Sequence, residues 1–138
     1  AIDYKLQSVE DLAATGAKFD MVTCMELLEH VPDPVSVIRA CSELTHPDGM
    51  IFFSTLNRNL KSYLVAIIGA EYLMRYLPIG THDYKKFIRP SELCAWARAC
   101  HLRLHDLAGI QYKPLQRQFC LSKDVSVNYV ASFVNEKQ

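Results

Sequence analysis

The stretch Phe19-Asp20-Met21-Val22-Thr23-Cys24-Met25-Glu26-Leu27-Leu28-Glu29-His30-Val31-Pro32-Asp33-Pro34 decides how this sequence of 138 residues reads. It begins as a strand, because Phe19, Met21, Val22 and Cys24 form a short, largely apolar run of the kind buried in a parallel sheet. It ends as a cluster of ligands. Glu26, Glu29 and His30 stand at i, i+3 and i+4, so one turn of helix after the strand predicts two carboxylates and an imidazole on one face. That face falls at the carboxyl end of a strand, where open α/β sheets place their ligands.

Ahead of this stretch, Ile2, Tyr4 and Leu6 alternate with Asp3 and Lys5, a period-two pattern that predicts a strand. Ser8 before Val9-Glu10-Asp11-Leu12-Ala13-Ala14, with Gly16 beyond, predicts a short capped helix. Behind it, Val35, Ile38, Ala40, Cys41 and Leu44 make a helical stripe that stops before the turn residues Pro47-Asp48-Gly49. Met50-Ile51-Phe52-Phe53-Ser54-Thr55 reads as a buried strand and Asn57-Arg58-Asn59 as the loop leaving it. Strand, helix and strand at this spacing predict βαβ units and a parallel sheet.

Residues Leu60 to Leu77 are mostly apolar but carry Lys61, Glu71 and Arg75, which fall within one sector of about 80° on a helix. Three charges in a run shorter than ~20 apolar residues argue against a spanning helix and suit an amphipathic one. Such a helix lies either in a membrane interface or over its own domain. Pro78 to Asp83 reads as a loop, and Pro90-Ser91-Glu92-Leu93 opens a helix through Trp96 to about Cys100, with Ser91 as its expected cap. Leu102 to Tyr112 reads as one strand, a loop follows with Pro114 and Gln116-Arg117-Gln118, and Val125, Val127, Tyr129, Ala131 and Phe133 alternate as the last strand. Two final strands joined without a helix predict an antiparallel pair.

The chain is the size of one domain, and 50% hydrophobic residues suit a packed core. Fifteen basic residues balance 15 acidic ones. A net charge of zero provides no global field to attract nucleic acid, which sets that partner aside. The odd cysteine count (Cys24, Cys41, Cys94, Cys100, Cys120) with no C-x-x-C pair argues against a disulfide framework or a zinc knuckle and points to reduced thiols in a cytosolic protein. The start at Ala1-Ile2-Asp3-Tyr4, without an initiator Met, reads as the middle of a strand and suggests a fragment.

Among the chemical candidates, Glu26, Glu29 and His30 are either a solvated helix face or a site. Leu27, Leu28 and Val31 among them favour the second, because adjacent carboxylates in a partly buried neighbourhood repel unless a cation neutralises them. Two carboxylates and one imidazole suit a hard divalent ion such as Mg²⁺ or Mn²⁺, with positions left open for substrate oxygens. His30 also reads as a general base. His82-Asp83 is the runner-up, His46, His101 and His105 read as surface residues, and no Ser or Cys stands in a nucleophile-elbow pattern.

The runs from Thr23 to Pro34, Phe53-Ser54-Thr55-Leu56-Asn57-Arg58-Asn59, Gly69-Ala70-Glu71-Tyr72, Gly80-Thr81-His82-Asp83 with Lys86-Phe87-Ile88, and Asp124-Val125-Ser126-Val127-Asn128-Tyr129 together resemble the bacterial ubiquinone-biosynthesis O-methyltransferases, essentially end to end. The resemblance implies an α/β fold, the Rossmann-like sheet of class I S-adenosylmethionine-dependent methyltransferases, with its last strand antiparallel. Residues 1–138 would be the C-terminal part of a single methyltransferase domain, with an amphipathic insertion at about 60–80. The reaction implied is methyl transfer to a phenolic oxygen of a polyprenyl catechol or of demethylubiquinol. By the same resemblance Glu26, Glu29 and His30 are ligands of a divalent metal such as Mg²⁺ and Met25 contacts the methyl donor, with His30 also kept as the catalytic residue. A polyprenyl phenol or quinol substrate, a membrane surface met through residues 60–77 at the cytoplasmic face of the inner membrane, and other ubiquinone-biosynthesis proteins are the partners it implies.

The sequence departs from that family at its front. The Gly-rich turn after the first strand and the acidic end of the second, which hold most of the donor, have no counterpart here. The expectation is a sheet with a hole between the Ile2 strand and the Phe19 strand, and a chain inactive by itself. A non-catalytic membrane-binding module and a methyltransferase for another small phenol are the alternative readings.

Overall fold

The structure is a computed structural model, and it describes residues 1–63, 83–113, 116 and 118–137. Ser8 caps the first helix, α1 (Val9–Ala14), by accepting from the Asp11 backbone N–H at 3.0 Å, as the sequence predicts. Gly16 leaves the helix in the left-handed region, with φ at +76°. That conformation is open to glycine without a steric penalty. Strand β1 (Phe19–Met25) follows, then a single 3₁₀ turn (Leu28–His30) and helix α2 (Pro34–Leu44). Asp33 caps α2, its side chain accepting from the backbone N–H groups of Val35 and Ser36 at 3.0 and 3.1 Å. Pro34 at the first helical position costs no hydrogen bond.

Strand β2 runs over Thr45–Leu56, longer than the hydrophobic run Met50–Thr55, and takes in the expected turn Pro47-Asp48-Gly49. The pairing with β1 is irregular there, Phe19 lying opposite Thr45 and Met21 opposite Met50, so the turn residues are accommodated as a distortion of the strand start. A three-residue helix α3 (Leu60–Ser62), helix α4 (Pro90–Ala99), and strands β3 (Leu102–Lys113), β4 (Gln118–Ser122) and β5 (Asn128–Asn135) complete the described elements. The cap of α4 is Arg89 rather than Ser91. Pro90 takes the first helical position, and the Glu92 carboxylate accepts from the Arg89 backbone N–H at 2.9 Å.

The sheet order is β1-β2-β5-β3-β4. β1 and β2 are parallel, as the βαβ spacing predicts. β5 inserts between β2 and β3 and runs antiparallel to both, the reversed last strand that the resemblance implies. β4, of which the sequence reading places only Gln118, and that in a loop, pairs antiparallel with β3 as an edge strand. The expected strand over Ile2–Leu6 does not form, and its apolar side chains stand in solvent, with Leu6 fully exposed. Alternation is only a preference until a neighbouring strand supplies hydrogen bonds, and none lies beside this segment among the described residues. The expected hole is therefore an open edge at β1.

Side-chain alternation along the strands sorts the sheet into two faces. Cys24, Ile51, Phe53, Tyr129, Ala131 and Phe133 point to one face and form a core with Val37, Ile38 and Cys41 of α2 and Leu93 and Ala97 of α4. Phe53 and Phe133 meet edge to face, centroids 5.9 Å apart. Polar joints lock this core: Asn135 Nδ2 donates to the carbonyls of Ser42 and Thr45 at 3.0 and 2.8 Å, and Ser42 Oγ donates to the carbonyl of Cys100 at 2.8 Å. The segment from Leu60 to Leu77 is described only for its first turn, and the rest of it, with His82, lies outside the described residues.

Candidate functional site

The site grows from the parallel ends of β1 and β2, where Met25 stands beside Ser54 in the register. Glu26, the next residue, leaves the strand with φ at +50°. A non-glycine residue in the left-handed region persists where its surroundings hold it there. Here Ser54 does so. The Glu26 backbone N–H reaches the carbonyl of Ser54 at 3.1 Å and its Oγ at 3.0 Å, and that hydroxyl donates to Glu26 Oε1 at 2.7 Å.

Leu28 plugs the 3₁₀ turn into the core with 1% exposure, and the adjacent Glu29 follows it inward to 3%. Thr55 Oγ1 donates to Glu29 Oε2 at 2.9 Å. Glu29 Oε1 is buried and has no hydrogen-bond partner. His30 is exposed at the end of the turn, its backbone N–H bonded to the carbonyl of Leu27 at 2.9 Å. Met25 is 49% exposed on the sheet face opposite the core.

This arrangement corrects the helical reading of the stretch. A full helical turn would have stacked Glu26, Glu29 and His30 on one face, but Glu26 lies outside the 3₁₀ turn in a left-handed conformation. Glu26 is exposed, Glu29 is turned into the core and His30 faces outward. Among the described residues no group of three or more His, Cys, Asp or Glu side chains is placed to hold a metal ion. The expected ligands Glu26, Glu29 and His30 are not gathered into such a group. The Glu29 Oε1 atom stands buried and unpaired, and an unpaired buried acceptor forfeits its hydration.

Ser54 and Thr55 are the site residues that the sequence reading missed. Their signal was available: two hydroxyl side chains closing an otherwise apolar strand, where Val or Ile would pack as well. Of the remaining histidines, His46, His101 and His105 are exposed as expected. Asp83 caps a 3₁₀ turn (Tyr84–Lys86) through the Lys85 backbone N–H at 3.0 Å, a structural use of that side chain.

Two further features flank the turn. A cavity of about 740 Å³ opens beside it, walled by Val9 of α1, Leu27 and Val31 of the turn, and Val37 of α2, with Ser8 and Ser36 at its polar side. The loop Asn57-Arg58-Asn59 is pinned to the approach to β5: the Asn57 backbone N–H donates to Val127 O at 2.8 Å and its Nδ2 to Val125 O at 2.9 Å, while Asn59 Nδ2 donates to Ser126 O at 2.6 Å. Arg58 pairs with Glu92 of α4. Below the site, Tyr129 is buried with its hydroxyl donating to Ile88 O at 3.0 Å. Burial first, and then the negative groups around it, push its phenol well above the usual range, so it serves as a donor.

A mixed sheet with its acidic turn at the carboxyl end of parallel strands defines a class of fold, and the comparisons agree with it. A family model described as a methyltransferase domain matches residues 1–107, and the chain belongs to that family. A SAM-dependent methyltransferase of Methanosarcina mazei shares the fold with a TM-score of 0.63 at 15% identity, over 97% of this chain and 67% of that one. Magnesium protoporphyrin IX methyltransferase from Synechocystis, solved with bound SAH, has a TM-score of 0.60 at 14% identity over 94% and 49%. More particularly, the chain is similar to the ubiquinone biosynthesis O-methyltransferases. That of Coxiella burnetii is 56% identical over 135 residues, covering 98% of this chain and 58% of the relative. That of Azotobacter vinelandii is 59% identical over 130 residues, covering 94% and 56%. The chain thus spans less than two thirds of the length of these relatives.

Proposed function

We propose that the protein carries out S-adenosylmethionine-dependent O-methylation of a polyprenyl catechol or demethylubiquinol in ubiquinone biosynthesis. The observation that carries this reading is 56% identity over 98% of the chain to relatives named ubiquinone biosynthesis O-methyltransferase. The fold is consistent with it. In this reading the substrate hydroxyl oxygen attacks the sulfonium methyl, the C–O bond forms as the S–C bond breaks, and S-adenosylhomocysteine leaves. His30, exposed on the turn, takes the hydroxyl proton. Met25 contacts the donor, and the cavity walled by Val9, Leu27, Val31 and Val37 suits the donor's flat heterocycle.

Metal assistance is the finer part of the proposal. Its support is the resemblance together with the unpaired Glu29 Oε1. Among the described residues the three expected ligands are not gathered into one group. Peripheral membrane contact through residues 60–77 is proposed on sequence amphipathicity alone. No helix among the described residues is long and apolar enough to cross a membrane.

The test is transfer from methyl-labelled S-adenosylmethionine to a tailed catechol and to demethylubiquinol by the whole protein, followed by mass spectrometry. Label on a phenolic oxygen is the expected result. Transfer only to tail-less phenols would move the assignment to another small-phenol methyltransferase. Absence of transfer to any phenol would leave the membrane-binding reading in its place.

A further inference from the structure

We propose that Ser54 and Thr55 are positioning residues that fix the carboxylates of Glu26 and Glu29, one from each face of the end of β2. The proposal rests on the turn after β1 being the methyl-transfer site. Consecutive strand residues point to opposite faces, and here both carry a hydroxyl with no solvent exposure. A hydroxyl withdrawn from water needs a partner. Each of these finds a carboxylate: Ser54 Oγ reaches Glu26 Oε1 at 2.7 Å and Thr55 Oγ1 reaches Glu29 Oε2 at 2.9 Å.

The two contacts differ in what they fix. Ser54 acts on main chain and side chain together, since its hydroxyl also accepts from the Glu26 backbone N–H at 3.0 Å. That bond, with the one from the same N–H to the Ser54 carbonyl at 3.1 Å, holds Glu26 in its left-handed conformation and sets where the carboxylate leaves the strand. Thr55 acts on the side chain alone. It ties down one oxygen of Glu29 and leaves Oε1 buried and unpartnered. Anchoring one oxygen of a carboxylate fixes the direction of the other, so Thr55 determines where that free acceptor points. Neighbouring Phe53 and Leu56 are buried and apolar. A valine at position 55 would therefore meet the packing need, and the hydroxyl is what packing leaves unexplained.

Thr55→Val removes the hydroxyl at nearly constant shape, Thr55→Ser keeps it while losing a methyl, and Ser54→Ala does the corresponding test on the other face. The whole protein and each variant are compared for thermal melt, donor Kd by calorimetry, kcat and KM for the methyl acceptor, and the Glu29 carboxylate infrared band assigned by subtracting Glu29→Gln. Thr55→Val is expected to lower kcat roughly 10- to 100-fold, since a site group displaced by up to about 1 Å can lose about 100-fold in rate. Its donor Kd should stay within about two-fold and its carboxylate band should shift, while Thr55→Ser recovers both kcat and band. Thr55→Val with parental kcat, or Thr55→Ser as impaired as Thr55→Val, overturns the proposal in favour of packing. A parent that transfers no methyl group sinks the proposed function instead. The infrared band then still decides the contact, since an unmoved band in Thr55→Val overturns it and a shifted band that returns with Thr55→Ser upholds it. Should Thr55→Val not fold, Ser54→Ala carries the same comparison for Glu26, parental kcat again being the contradicting result.

Discussion

On the face covered by α2 and α4, Ile51, Phe53, Ala131 and Phe133 have no solvent exposure, whereas on the opposite face Met21 is 57% and Met25 49% exposed. On β1 itself Cys24 of the covered face is only 6% exposed, so what differs between the faces is whether helices lie against them. The covered face carries the packing that holds the fold, and the open face carries Met25 and the hydroxyl of Ser54. The acidic turn sits where the two meet. Glu29 follows Leu28 into the covered side and Glu26 stays at the surface, so two carboxylates three residues apart occupy unlike environments. A buried acid and an exposed one are suited to different chemical tasks.

The contrast is open to direct attack. Phe53→Ala should cost ~3 to 5 kcal/mol by leaving a cavity against Phe133, whereas Phe52→Ala on the half-buried face should cost about 1 to 2 kcal/mol. Equal losses in denaturant melts would mean that the second face is packed as tightly as the first. Gly109→Ala should cost about 1 to 3 kcal/mol, because its new Cβ would lie 1.8 Å from the carbonyl oxygen of Asp124 and the backbone must move. A neutral alanine would show that the link from β3 to the Asp124 segment gives way easily. Tyr129→Phe removes the bond to Ile88 O and should cost about 0.5 to 1.5 kcal/mol, a joint the covered face can lose without unfolding.

The smallest effect belongs to the exposed rim. Hydrogen bonds from Lys61 and then from Ser126 hold the Asp124 carboxyl below its usual value, at about 2. A lowered carboxyl contributes stability that is present above its unfolded-state value and lost as pH falls through about 2. A carboxyl-carbon NMR titration should place the midpoint there, and Lys61→Met should raise it. The melting temperature at neutral pH should hardly change, because exposed pairs contribute little.

Periodicity made the fold's middle legible. The β1-α2-β2 unit and β5 follow apolar spacing that packing against one face imposes, and α4 is marked by the helix-opening residues Pro90 to Leu93. Alternation failed where burial did not back it: Ile2 to Leu6 shows the pattern but has no partner strand among the described residues. The edge strand β4 pairs on one side only and keeps Phe119 and Leu121 in solvent, so its five residues carry little core signal. At the site, the residues Glu26, Glu29 and His30 could be picked from spacing, but their geometry could not. The left-handed Glu26 arises from a long-range contact to Ser54 in β2, and no local pattern encodes it.

We propose that the turn from Met25 to His30 is the methyl-transfer site, with Glu26 and Glu29 serving the reaction more than the fold. The most direct test is kcat for methyl transfer to a phenol by Glu26→Gln and Glu29→Gln in the whole protein, read beside their melts. Each variant should lose roughly 10-fold or more in kcat while staying within about 1 kcal/mol of the parent in stability, since glutamine keeps the shape and the acceptor oxygen. Parental kcat in both variants, with folding intact, would contradict the assignment of the site.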